Sequence, residues 1–100
     1  MSNDTIDILI SVQHERLRQE QLKAAGKFTK TCADNMPNAE RLVVLAEEFG
    51  EVAREVCESL EGKPTPNLRT ELIQVAAVCV AWVEGLDRDT VRIPGPESDE

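Results

Sequence analysis

An all-α fold, a bundle of three principal helices in one domain, is what this chain predicts, and three observations carry that expectation. Of its 100 residues 41% are hydrophobic but only 3% aromatic, with no Tyr, and Val, Leu and Ala supply most of the apolar content, a profile that favours helices packed on helices. Apolar residues recur at helical rather than strand spacing in three long stretches. Between those stretches lie glycine and proline signals that end helices, and nothing in the first connection resembles a strand.

The first helix is capped by Asp4 or Thr5 and keeps Ile6, Leu9, Ile10, Leu17 and Leu22 at helical spacing. Gly26 is a natural C-terminal cap. From Lys27 to Asn38 the pattern is lost, and Pro37 and Asn38 mark a loop and then a cap. The second helix, Ala39 to Leu60, places Leu42, Leu45, Phe49, Val52, Val56 and Leu60 on one stripe, the spacing of a helix seam. Gly62-Lys63-Pro64-Thr65-Pro66 breaks the chain. Asn67 then caps a third helix, Leu68 to Leu86, apolar on all faces from Val75 to Val83. A helix of that kind is buried on several sides, so it is expected to be central, with part of its cover supplied by another subunit. Residues 1–90 form the domain, and 91–100, which run into Pro94-Gly95-Pro96 and three acids, read as a disordered acidic tail.

At 100 residues, one domain buries only about two-thirds of the surface its unfolded chain exposes, so oligomerisation would help it. A formal charge of -8 argues against nucleic acid or an anionic membrane as the main partner, since both need a basic surface. Val75 to Val83 is the longest apolar run, far short of the ~20 residues that cross a bilayer, and no basic run precedes Ile6 as a secretory signal would require. A cytoplasmic location is expected. Of the cysteines Cys32, Cys57 and Cys79, the latter two lie in apolar stretches and read as reduced core residues. His14 has no cysteine near it in sequence, so no zinc site is expected, and it belongs at a helix surface or subunit interface.

Two acidic segments stand out, Glu47-Glu48-Phe49-Gly50-Glu51 on the second helix and Glu71-Leu72-Ile73-Gln74 opening the third. At ~100° per residue, Glu48, Glu51 and Glu55 fall on one flank of the apolar seam together with Val44, while Glu47, Arg54 and Glu58 turn away. Taken alone, glutamates on a helix more often describe a solvated face. Glu71 and Gln74 share a face with Val78 on a helix that has no Lys or Arg between Arg69 and Arg88. A carboxylate buried there needs a partner or a proton, so its compensating charge comes from another segment or from a bound cation. Mg²⁺ suits acids three apart on two facing helices, because it takes oxygen ligands, keeps waters and bridges to phosphates.

At these residues the sequence resembles the MazG-like, all-α nucleoside triphosphate pyrophosphohydrolase superfamily, whose pattern is Glu-Glu-x-x-Glu on one helix and Glu-x-x-Asp on the next. The first half is complete in Glu47-Glu48-Phe49-Gly50-Glu51, and Glu15-Arg16-Leu17-Arg18-Gln19 with Lys23 and Gly26 looks like the first-helix segment of many members, so the likeness spans roughly Glu15 to Leu86. The resemblance implies that Glu48, Glu51, Glu71 and Gln74 hold Mg²⁺, with Mn²⁺ as a substitute, and that Glu48 or Glu51 acts as general base. It implies hydrolysis of a nucleoside triphosphate to monophosphate and pyrophosphate, in a homodimer or homotetramer whose subunits complete a four-helix core. Lys23 and Lys27, with Lys30, are candidates to hold the outer phosphates. Phe28 is a candidate to stack on the base, since Ala25 stands where an aromatic residue is common. Gln74 departs from the pattern, because an amide can coordinate Mg²⁺ but brings no charge and cannot act as a base. The alternative is a non-catalytic or weakly active helical module that binds nucleotide or a protein partner.

Overall fold

A computed structural model describes residues 3–92 and contains three helices, α1 (Asn3–Ala24), α2 (Asn38–Leu60) and α3 (Leu68–Arg92). The all-helical expectation is met, and α3 is central, packed against both α1 and α2. It runs past Leu86 to Arg92, across the expected boundary at 90/91, while residues 93–100 of the expected tail lie outside the described residues. No helix among the described residues is long and apolar enough to cross a membrane.

Two glycines stop helices as the sequence suggests. Gly26 has φ 83°, with Lys27 N–H donating to the Leu22 carbonyl at 2.8 Å and Gly26 N–H to that of Lys23 at 2.9 Å. This is the paired bonding of a Schellman ending. Gly62, also at φ 83°, repeats it: Lys63 N–H reaches Glu58 at 3.1 Å and Gly62 N–H reaches Ser59 at 3.0 Å. At the start of α2 the expected Asn38 cap is replaced by extended Pro37, whose carbonyl accepts from Glu40 N–H at 3.0 Å. The Asn38 side chain is used elsewhere, its Oδ1 accepting from Arg41 Nη1 at 3.0 Å and from Trp82 Nε1 at 2.9 Å.

The connection between α1 and α2 forms part of the core. Thr31, Cys32 and Ala33 are buried, the last two packing with Val78 and Ala81 under Val44, Leu45 and Trp82. Irregular backbone can be buried only if its polar groups are satisfied, and arginines do this here. Arg41 Nε donates to the Cys32 carbonyl at 3.0 Å, Arg88 Nη1 to that of Ala33 at 2.9 Å, and Arg41 Nη2 to that of Asp34 at 2.8 Å. Arg41 is fully buried and also pairs with Asp89 at 3.2 Å. Gly85 leaves the room for it: a Cβ there would fall 2.6 Å from the Cys32 carbonyl oxygen and 2.9 Å from Arg41 Cζ. On the α1 side, Arg16 ties α1 to α3 through Glu84 at 2.7 Å and to Glu20 at 2.7 Å.

Several sequence expectations about burial are corrected. On α2 the inward face is Arg41, Val44, Leu45, Glu48, Val52 and Glu55, while Leu42, Phe49, Val56 and Leu60 of the expected seam are exposed. Ile6, Leu9, Ile10 and Leu17 of α1 are exposed too, as are Leu72, Val80 and Val83 of α3. Cys57 and Cys79 are exposed and Cys32 is the buried cysteine, because Cys79 lies on the outer stripe of α3 with Leu72 and Val83 rather than on the inner one with Val78 and Ala81. Among the described residues no Leu, Ile or Phe is fully buried. Periodicity predicts that a stripe is covered, but it cannot say whether this chain or another one covers it.

Candidate functional site

Two carboxylate groups meet across the α2·α3 packing. Glu48 and Glu55 lie on the inward face of α2, two helical turns apart, and Glu71 sits in the first turn of α3. Glu48 Oε1, Glu55 Oε1 and Glu71 Oε1 are buried with no hydrogen-bond partner. Burial first, and then the nearby charges of Glu71, Glu51, Glu15 and Glu47, push the Glu48 carboxyl above the usual range. The Glu71 carboxyl is raised by the burial of its surroundings and then by Glu51 and Glu55, with Arg54 opposing. These acids are therefore within electrostatic reach of one another, and the ion pairs they make are peripheral, Arg54 to Glu51 at 3.6 Å and Arg18 to Glu15 at 2.8 Å.

Beside Glu48 opens a cavity of about 310 Å³, at the small end of the range for small-molecule sites. The α1–α2 connection forms one wall with Phe28, Lys30 and Thr31; α2 and α3 form the other with Val44, Glu48, Gln74 and Val78; Arg18 reaches in from α1. An apolar strip, two cations and three acids, Glu15, Glu47 and Glu48, thus share one opening, with Glu47, which the helix turns toward solvent, at its edge.

The structure brings together Glu48, Gln74 and Phe28, three of the residues that the sequence singles out, as lining of one cavity. Glu51 and Glu71 are coupled to Glu48 electrostatically but do not line it. Neither does Lys23, whose Nζ is held by Asp34 Oδ2 at 2.9 Å and by Glu20 at 3.2 Å. Lys27 is exposed and also stands outside the lining. The cations that do face the cavity are Lys30 and Arg18, the latter clamped by Glu15 at 2.8 Å through both Nε and Nη2. Arg18 shares an α1 face with Glu15 and Gln19, three and four residues apart, and that polar face was the available signal for it.

The chain matches no family model, no curated protein and no solved structure. The resemblance to the MazG-like superfamily is therefore one of sequence pattern alone.

The donor chemistry suits a hard divalent cation, since three buried carboxylate oxygens have no partner and oxygen ligands of this kind are what Mg²⁺ takes. Among the described residues no three His, Cys, Asp or Glu side chains are already gathered as a metal cage. The glutamates would have to turn toward an ion through their side-chain torsions.

Proposed function

We propose that this chain is a Mg²⁺-dependent nucleoside triphosphate pyrophosphohydrolase that releases nucleoside monophosphate and pyrophosphate. The observation that carries the reading is the set of buried, unpartnered carboxylate oxygens of Glu48, Glu55 and Glu71 along the α2·α3 packing, of which Glu48 stands at the wall of a cavity also lined by Phe28, Arg18 and Lys30. Glu48, Glu51 and Glu71 would hold the cation, with the Gln74 amide as a neutral donor. The cation supplies neutralisation of the negative charge that builds up on the phosphates.

The chain's own residues supply the rest. Phe28 offers a π-face to the base; Lys30, already a candidate from sequence, and Arg18 offer positive charge to the phosphates, without Lys23 and Lys27. Glu48, whose surroundings raise its proton affinity, takes the proton of the attacking water. Water oxygen bonds to the α-phosphorus as the bond to the bridging oxygen breaks in line, and pyrophosphate leaves. Glu51→Gln and Glu71→Gln are each expected to abolish Mg²⁺-dependent pyrophosphate release from a panel of nucleoside triphosphates. Activity retained in both variants would sink the assignment.

Assembly into a homodimer or homotetramer is part of the proposal. It is supported by the exposed apolar stripes Leu42, Phe49, Val56 of α2 and Leu72, Val83 of α3, which recur at helical spacing rather than being scattered singly. One observation favours the second reading, a nucleotide-binding module without efficient chemistry: the cavity wall beside Glu48 carries the amide of Gln74 rather than an acid. A gain of pyrophosphate release in Gln74→Asp would mark a decayed enzyme.

A further inference from the structure

We infer that Glu55, outside the acidic pattern itself, is a cation ligand, joining Glu51 and Glu71 at the end of the α2·α3 groove away from the cavity. The inference rests on the reading that these acids bind a divalent cation, and it supplies the charge that Gln74 does not. Glu55 is only 9% exposed and its Oε1 has no hydrogen-bond partner. An ionised carboxylate buried in that way is strongly unfavourable unless something compensates it.

Helix geometry places Glu55 seven residues, or ~10.5 Å of rise, beyond Glu48 on the same inward stripe, and four residues beyond Glu51. Across the groove, Glu71 feels both Glu51 and Glu55. The nearest cationic side chain, Arg54, is largely exposed and directed to Glu51. Glu51, Glu55 and Glu71 thus lie within electrostatic reach of one another, with Arg54 at the exposed edge; they are not gathered into a cage as they stand, and a hard divalent ion is the partner whose charge and oxygen preference would draw them together. Gln74 lies on the other side, in the cavity wall next to Glu48.

The test is Mn²⁺ and Mg²⁺ titration of the full chain by calorimetry, with Mn²⁺ paramagnetic resonance as a second readout and no nucleotide present. Glu55→Gln is expected to lower cation affinity at least about tenfold, Glu55→Asp by less, and Glu71→Gln by as much as Glu55→Gln. In chelator, Glu55→Gln should melt no lower than wild type, since it removes an uncompensated charge. Wild-type affinity in Glu55→Gln, alongside loss in Glu71→Gln, would overturn the role of Glu55 and leave the proposed function standing. A wild-type chain that binds neither ion would remove both. A Glu55→Gln chain that melts well below wild type in chelator would assign Glu55 to structure instead.

Discussion

Gly85 and Gly50 both lie inside long helices, and replacing each with Ala should move stability in opposite directions. Alanine in a helix interior is favoured over glycine by about 1 kcal/mol, so both substitutions begin with the same gain. At Gly50 a Cβ meets nothing within 4 Å, and the gain should survive. At Gly85 the Cβ would crowd Arg41 Nη2 most closely, then the Cys32 carbonyl oxygen at 2.6 Å and Arg41 Cζ at 2.9 Å. The carbonyl is backbone, and the guanidinium is gripped by Cys32, Asp34, Asn38 and Asp89, so neither neighbour can swing aside. Overpacking of this kind costs about 1–3 kcal/mol, and freeing one buried carbonyl from Arg41 adds about 1–3 kcal/mol. After the helix gain is subtracted, the net loss is about 3 kcal/mol. For a chain of this size that lowers Tm by about 12–24 °C, against a rise of a few degrees for Gly50→Ala. Thermal unfolding followed by circular dichroism at fixed protein concentration reads both. If Gly85→Ala melts with Gly50→Ala, the buried Arg41 socket is not as described.

Further outcomes are expected. Glu48 and Glu71 have folded-state pKa values raised above their unfolded ones, so the stability they contribute is full below the unfolded value and is lost as pH rises through the raised one. In chelator, Glu71→Gln should therefore gain on wild type in Tm as pH is raised from about 4 to 7.5, and a variant that falls behind at pH 7.5 would contradict the burial of an uncompensated acid. The groups with lowered values, Glu20 and Asp34, act the other way: Asp34→Asn should cost least in acid, its effect growing as pH rises to the ordinary carboxylate range and holding constant above it. Leu42→Glu combined with Val83→Glu should convert an oligomer to monomer in sedimentation velocity. A wild-type chain that sediments as a monomer at tens of micromolar would refute the assembly.

Much of the fold was legible because breakers carry their own chemistry. Gly26, Pro37 and the run from Gly62 to Pro66 end or start helices whatever else the chain does. Sorting α2 by angle also placed Glu48 and Glu55 with Val44, and that flank is the one facing α3. What periodicity could not show is the burial of residues 31–33, which depends on arginines from two distant helices reaching three successive carbonyls. Nor could it show that the most apolar stripe of α2 points away from its own chain. Of the lysines Lys23, Lys27 and Lys30 that the sequence offered, only Lys30 lines the cavity, because the path of the irregular segment decides which of them is brought round, and Arg18 of α1 joins it.

The inward stripe of α2 has a consequence for how the helices can be paired at all. Arg41, Glu48 and Glu55 recur every seven residues along it, one basic and two acidic. Sliding α2 by two turns in one direction would set a carboxylate against the carbonyls of Cys32 and Asp34, and in the other direction would leave Arg41 among open solvent and those carbonyls bare. Apolar stripes tolerate such slips because one Leu resembles another, whereas a misplaced buried charge is prohibitive. The ordered charges therefore act as a key that admits a single alignment of α2 on α3, and any cation held between Glu51 and Glu71 would inherit its position from that alignment.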